Sequence, residues 1–117
     1  MLFRSGFYGA EVDGRGQKFR WSEKACALDL TRYGGARVRI EFSCPTDTAI
    51  EIKNVYGETV KALAAQRTPY IELRIDHATR VLDVTVDRVF IPSSHFDTDD
   101  NRPLGICINR LEVTRGH

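Results

Sequence analysis

With 117 residues, 42% of them apolar and 28% charged, the chain has the make-up of one ordinary globular domain. It is long enough to bury about two-thirds of the surface its unfolded form exposes. Its formal net charge is +1, with acidic and basic residues interleaved. The absence of a polybasic stripe argues against nucleic acid or anionic lipid as partners. No run approaches 18 apolar residues, which excludes membrane insertion by a helix, and "MLFRSGFYG" lacks the apolar core of a signal peptide. The expectation is a cytoplasmic protein, or part of a larger one.

Taken in order, "GRG" at 14–16 reads as a flexible turn, and "KFRWS" (18–22) and "ACALDL" (25–30) as two short strands. In "ARVRIEFSC" (36–44), Val38, Ile40, Phe42 and Cys44 alternate with Arg37, Arg39, Glu41 and Ser43. That is a half-buried antiparallel strand, stopped by Pro45. "AIEIKNV" turns Ile50 and Ile52 inward, and "VYGETV" forms a hairpin around Gly57, whose lack of a Cβ permits a positive φ. "TVKALAAQ" (59–66) fits both a helical stripe (Val60, Leu63, Ala64) and a strand face (Val60, Ala62, Ala64). The strand is preferred because its neighbours need a partner.

"YIELRI" alternates Ile71, Leu73 and Ile75, "DHAT" turns, and "RVLDVTVDRVFIP" supplies Leu82, Val84 and Val86 before Pro92. "LGICINRLEV" alternates Leu104, Ile106 and Ile108 and then changes phase to Leu111 and Val113, which predicts a β-bulge near Asn109 and Arg110. About seven or eight strands, turns about every 8 to 12 residues and no confident helix predict an all-β fold. The expectation is an antiparallel β-sandwich, residues 1–117 forming a single domain.

Sequence signatures of enzymes are missing: there is no GxSxG, HExxH, GxxxxGK[ST], or GxGxxG before a helix. No catalytic residue and no cofactor is assigned. Cys26, Cys44 and Cys107 are an odd number without CxxC spacing, so zinc is not indicated. The strand phases place Cys26 and Cys44 inward as small core residues and Cys107 outward, with a Cys26–Cys44 disulfide as the lesser alternative. His77 reads as a turn residue, whereas His95 beside Asp97 admits a metal or acid–base role. In "SSHFDTDDNRP", Asp97, Asp99, Asp100 and Asn101 offer oxygens to calcium, but the EF-hand pattern is missing. A solvated turn rich in Asx residues is the simpler reading, so no metal is assigned.

Sugars present apolar C–H faces beside hydroxyls, and proteins hold them with aromatic planes and planar polar groups. Trp21, Tyr8, Tyr33, Tyr56 and Tyr70 supply planes, and Arg20, Glu11 and Asn54 supply polar groups. Core or edge packing is the competing role for Trp21.

"GFYGAE…FRWSEKACALDL" (6–30) resembles a G-[WF]-[HY]-x-x-E motif followed by R/W-W-[ST] and a strand. "DDNRPLGICINRLEV" (99–113) resembles the D-x-R-x-L-G-[LIV] ending of the same domain. "IEIKNVYGETV" is similar to its central hairpin. The domains concerned are uncharacterised jelly-roll-like β-sandwiches appended to bacterial glycosyltransferases and other proteins of surface-polysaccharide synthesis. Gly6, Glu11, Trp21 and Ser22 fit the first motif, and Asp100, Arg102, Leu104 and Gly105 the second. Phe7 and Tyr8 stand where Trp and His are common, the segment "VDGRGQKF" is long, and Tyr56-Gly57 replaces Asn-Gly.

The resemblance implies a non-catalytic, carbohydrate-binding-like accessory domain. Its partners would be a glycan or glycan precursor and, by association, a glycosyltransferase. The alternative is a spacer or interaction domain that positions such an enzyme and binds no sugar. The candidate ligand-binding residues are Trp21, Tyr8, Arg20, Glu11, Tyr56 and Arg102. For Glu11, Asp100 and Arg102 a scaffold role comes first, because a guanidinium fork suits a carboxylate and can tie the chain's two ends together. Gly105 suggests a close backbone approach beneath Trp21.

Overall fold

A computed structural model of the chain describes residues 2–45, 47–64 and 70–115. Thr46 in the expected turn at 45–48, Ala65 and Gln66 at the end of the 59–66 segment, and His117 lie outside these residues. Nine strands form among the described residues: β1 (Phe3–Phe7), β2 (Glu11–Val12), β3 (Lys18–Asp29), β4 (Arg37–Ser43), β5 (Ala49–Lys53), β6 (Thr59–Ala64), β7 (Tyr70–Arg74), β8 (Val81–Val86) and β9 (Cys107–Thr114). Every pairing is antiparallel.

The strands make two layers. One runs β6-β5-β8-β3 with β1 beyond, and the other runs β3-β9-β4-β7. Between the layers the inward rows predicted from alternation meet. Ile50, Ile52, Leu82, Val84 and Val86 come from the first layer, and Val38, Ile40, Phe42, Ile71 and Leu73 from the second. The fold is thus the expected antiparallel β-sandwich, and its partners in space are mostly distant in sequence, as in a jelly roll.

The largest difference from expectation is β3. Instead of two short strands it is one strand of 12 residues that belongs to both layers. Arg20 and Trp21 pair with Ile108 and Cys107 of β9, whereas Ala25 to Asp29 pair with β8. The polar interruption at Glu23 and Lys24 therefore marks a change of partner, with both side chains exposed, rather than a strand end.

Ser22 fastens the crossing. Its hydroxyl accepts from the Ile106 N–H at 2.9 Å, and its carbonyl accepts from the Gly105 N–H at 2.8 Å. A Cβ on Gly105 would stand 2.5 Å from the Glu23 carbonyl oxygen and 2.5 Å from Ser22 Oγ. Gly105 does permit a close approach, but to the Ser22–Glu23 backbone and not beneath Trp21.

Two bulges settle two phase questions. Phe42 pairs with Ile108 and Glu41 with Arg110, leaving Asn109 as the extra residue predicted near that point. Ile52 pairs with Lys61 and Lys53 with Thr59, so Val60 is extra in β6. Val60 and Leu63 consequently both pack on the core, and Ala62 and Ala64 are exposed. The strand assignment stands, but its inward row was misread: the three-residue spacing came from a bulge and not from a helix.

Cys26 is buried as expected, Cys44 is half-buried with its Sγ 3.6 Å from the Gly105 carbonyl, and no disulfide joins them. Cys107 departs from expectation. It faces outward but is 5% exposed, because it lies in a row between Trp21 on one side and Ser43 on the other.

Candidate functional site

The segment between β8 and β9 leaves the sandwich as a long loop, closed at its base by Phe90 and Leu104. Each of these two donates its N–H to the other's carbonyl at 2.7 Å. Beyond the base, Asp100 caps its own turn, accepting from the Arg102 N–H at 3.1 Å and from Arg102 Nε and Nη2 at 2.9 Å each. The same guanidinium donates from Nη1 and Nη2 to the two Glu11 carboxylate oxygens at 3.3 and 3.5 Å. One planar fork thus holds a carboxylate on each side and joins residues 91 positions apart.

These bonds hold the Asp100 carboxyl below the usual aspartate range, the Arg102 side chain being the first cause. They raise Arg102 further above its ordinary value, with Asp100 the largest contributor.

Tyr8 completes the clasp. Arg102 lies 5.1 Å from its ring centroid, and its hydroxyl donates to the Pro103 carbonyl at 3.0 Å. Burial pushes the Tyr8 phenol up, and the charge of Glu23 adds to this. The Tyr8 backbone is held as well: its N–H donates to the Trp21 carbonyl at 3.0 Å, and its carbonyl accepts from Arg20 Nη1 at 3.1 Å.

Tyr8, Glu11 and Arg102 of the predicted set are therefore brought together. Trp21 adjoins them through the backbone, with its half-buried indole on the outer face beside Cys107. Arg20, the preceding residue on an extended strand, projects to the opposite face, 4.5 Å over the Phe3 ring. Tyr56 sits apart on the β5–β6 turn, 62% exposed and 6.5 Å from His77. Asn54 organises that turn, its side-chain oxygen accepting from the N–H groups of Tyr56 and Glu58 at 2.9 and 3.1 Å. The ring of Tyr70 is covered by Arg39 at 3.7 Å.

Beside the clasp opens a groove of about 360 Å³, lined by Phe3, Phe19, Arg20, Leu111, Lys18 and Asn109 among others. Its lining brings Phe19 and Asn109 beside Phe3 and the Arg20 guanidinium that lies over the Phe3 ring, and its size falls at the lower end of small-ligand sites. A larger open depression of about 810 Å³ lies over β5, β6 and β8, but no aromatic side chain lines it. Phe19 reads in sequence as an ordinary strand residue, and Phe3 lies in the opening stretch to which no element is assigned. Only the fold places them at an open rim.

A second missed group is on the long loop. The His95 ring stacks on Phe90 at 4.9 Å and 17°, and Phe96 is 66% exposed. The signal available was a lone phenylalanine inside the polar run "SSHFDTDD". His95 is thereby engaged with an aromatic ring. Among the described residues no three histidine, cysteine or acidic side chains are placed to hold a metal, and both Asp100 oxygens point to Arg102. Also among them, no helix is long and apolar enough to cross a membrane.

No protein-family model matches the chain, and no curated protein matches it. One solved structure to which it is similar is a family 6 carbohydrate-binding module, described in a binding sub-site dissection by crystallography and isothermal titration calorimetry. The similarity covers 97% of this chain and 85% of that one, at 12% identity and a TM-score of 0.46.

Proposed function

We propose that the protein is a non-catalytic carbohydrate-binding module acting in the cytoplasm beside enzymes of surface-polysaccharide synthesis. The observation that carries this reading is the groove at the clasped rim. Phe19 offers an apolar plane to sugar C–H faces beside the Phe3 ring and the Arg20 guanidinium stacked on it, and Arg20 and Asn109 offer hydroxyl partners. The clasp of Glu11, Asp100, Arg102 and Tyr8 is a fastener that holds this rim in shape, since its donors and acceptors are already engaged with one another. Arg20 links the two, stacking in the groove and bonding the Tyr8 carbonyl.

The association with a glycosyltransferase rests on the two end motifs. In space these motifs meet, Tyr8 and Glu11 from the first lying against Arg102 from the second.

Calorimetry against surface-polysaccharide fragments tests the proposal. Saturable binding that is lost in Phe19→Ala, with circular dichroism unchanged, supports it. A second reading is favoured by the same internal saturation of the clasp: a spacer domain that positions a glycosyltransferase and binds no sugar. Silence across a broad glycan array, together with self-association or capture of the enzyme, establishes that reading instead.

A further inference from the structure

On the outer face of the second layer, β4 and β7 alternate charge along each strand, and the register decides which charges meet. Arg39 pairs across with Glu72, their side chains 3.8 Å apart. Arg110 lies 2.6 Å from Glu112 and 3.7 Å from Glu41. The three carboxylates of this face are thus all committed.

At one end the pattern breaks. Arg37 and Arg74 are direct cross-strand partners, both outward and exposed. Neither guanidinium makes an ion pair or hydrogen bond among the described residues. Of the two carboxylates that lie two residues from Arg74, Glu72 is paired with Arg39, and Asp76 is turned into its own loop, where it accepts from the N–H groups of Ala78 and Thr79. The other cross-strand neighbour of Arg37 is the uncharged Thr114.

Like charges directly opposite each other on neighbouring strands destabilise a sheet. The other charges of this face are paired, and an anion between Arg37 and Arg74 would relieve their repulsion. We propose that Arg37 and Arg74 bind the carboxylate of an acidic saccharide. Directly opposed residues have Cα atoms about 4.5–5.5 Å apart, which lets two guanidinium planes bracket one planar carboxylate. A polynucleotide needs a run of cations, and the other arginines of this face, Arg39 and Arg110, are already paired with Glu72, Glu41 and Glu112. The inference rests on the glycan-binding reading and adds the class of glycan.

The test is calorimetric titration of wild type, Arg37→Gln/Arg74→Gln and Phe19→Ala with an oligogalacturonate and with a neutral oligosaccharide of equal length. Inorganic phosphate, duplex DNA and anionic vesicles serve as further probes. The expected result is that wild type prefers the oligogalacturonate, and that the double arginine variant loses about tenfold or more of that affinity, as loss of charge-assisted bonds implies. Neutral-sugar binding stays unchanged in the double variant, and its melting temperature is equal to or above wild type because the repulsion is gone. Oligogalacturonate binding that is undiminished in the double variant overturns the proposal, as does DNA, vesicles or phosphate binding more tightly than the uronate. Neutral-sugar binding lost in Phe19→Ala, together with uronate binding undiminished in the double arginine variant, leaves the glycan reading intact while this one fails. Absence of all sugar binding removes both.

Discussion

Two glycines and one serine carry a large share of the architecture through contacts that allow no substitution. Gly6 has φ +75°, and a Cβ there would run into the Ala25 carbonyl oxygen, so Gly6→Ala combines left-handed strain with a backbone clash. The expected loss is about 3 kcal/mol of unfolding free energy by urea titration. Ser22→Ala removes the acceptor of the Ile106 N–H in a site 1% exposed and should cost about 1–3 kcal/mol. Within the clasp, Arg102→Ala is expected to cost about 1–2 kcal/mol. Double-mutant cycles should give a larger coupling to Asp100, bonded at 2.9 Å, than to Glu11 at 3.3–3.5 Å.

Titration at single residues follows the same contacts. Asp100, Asp76 and Asp29 have carboxyls held below the ordinary value by Arg102, by the Thr79 N–H and by the Thr31 side chain respectively. A carboxyl with a depressed folded pKa stabilises the fold above its unfolded value, and that stability is lost as pH falls through the folded value. Stability measured by urea should therefore hold to about pH 5 and fall below about pH 4, with a shallower fall in Asp100→Asn. Burial pushes the Cys26 thiol up to about 12 and that of Cys107 up to about 11. Neither should react with iodoacetamide at pH 8 until the protein is unfolded, as mass spectrometry can show.

At the scale of the element, alternation was enough to locate β4, β5, β7 and β8 with the correct inward rows, because each buries one face against the opposing layer. In β9 the expected row holds for Ile108 and Leu111 but ends before Val113, which is exposed. The bulge at Asn109 was legible as a phase change within a single strand. The bulge at Val60 was not, because one extra residue in a short strand produces the same three-residue spacing as a helix. The unity of β3 was also hidden: a strand that changes layer must turn different residues inward before and after the crossing, which looks like an end. The β5–β6 turn follows from local chemistry, Asn54 bonding two N–H groups and Gly57 sitting at φ +77°. Gly57→Ala should cost about 1 kcal/mol, with binding unaffected.

Over the whole molecule, the distribution of charge and of aromatic side chains is a product of register that composition conceals. A chain of net charge +1 sets Arg37 directly against Arg74 at one end of one layer. Aromatic residues far apart in sequence form separate groups, Phe3 and Phe19 at the rim and Phe90 with His95 and Phe96 on the long loop. The joining of Glu11 to Arg102 was legible because carboxylate and guanidinium stood in recognisable end motifs. The groove beside it was not, because it exists only where β3, β9 and the N-terminal segment meet. The central claim is that this groove receives a glycan. Isothermal titration calorimetry of wild type and Phe19→Ala against neutral and acidic polysaccharide fragments tests it most directly. Saturable binding by wild type, lost in a folded Phe19→Ala, is the expected result. Wild type that binds no fragment, or Phe19→Ala that binds as tightly as wild type, contradicts the claim.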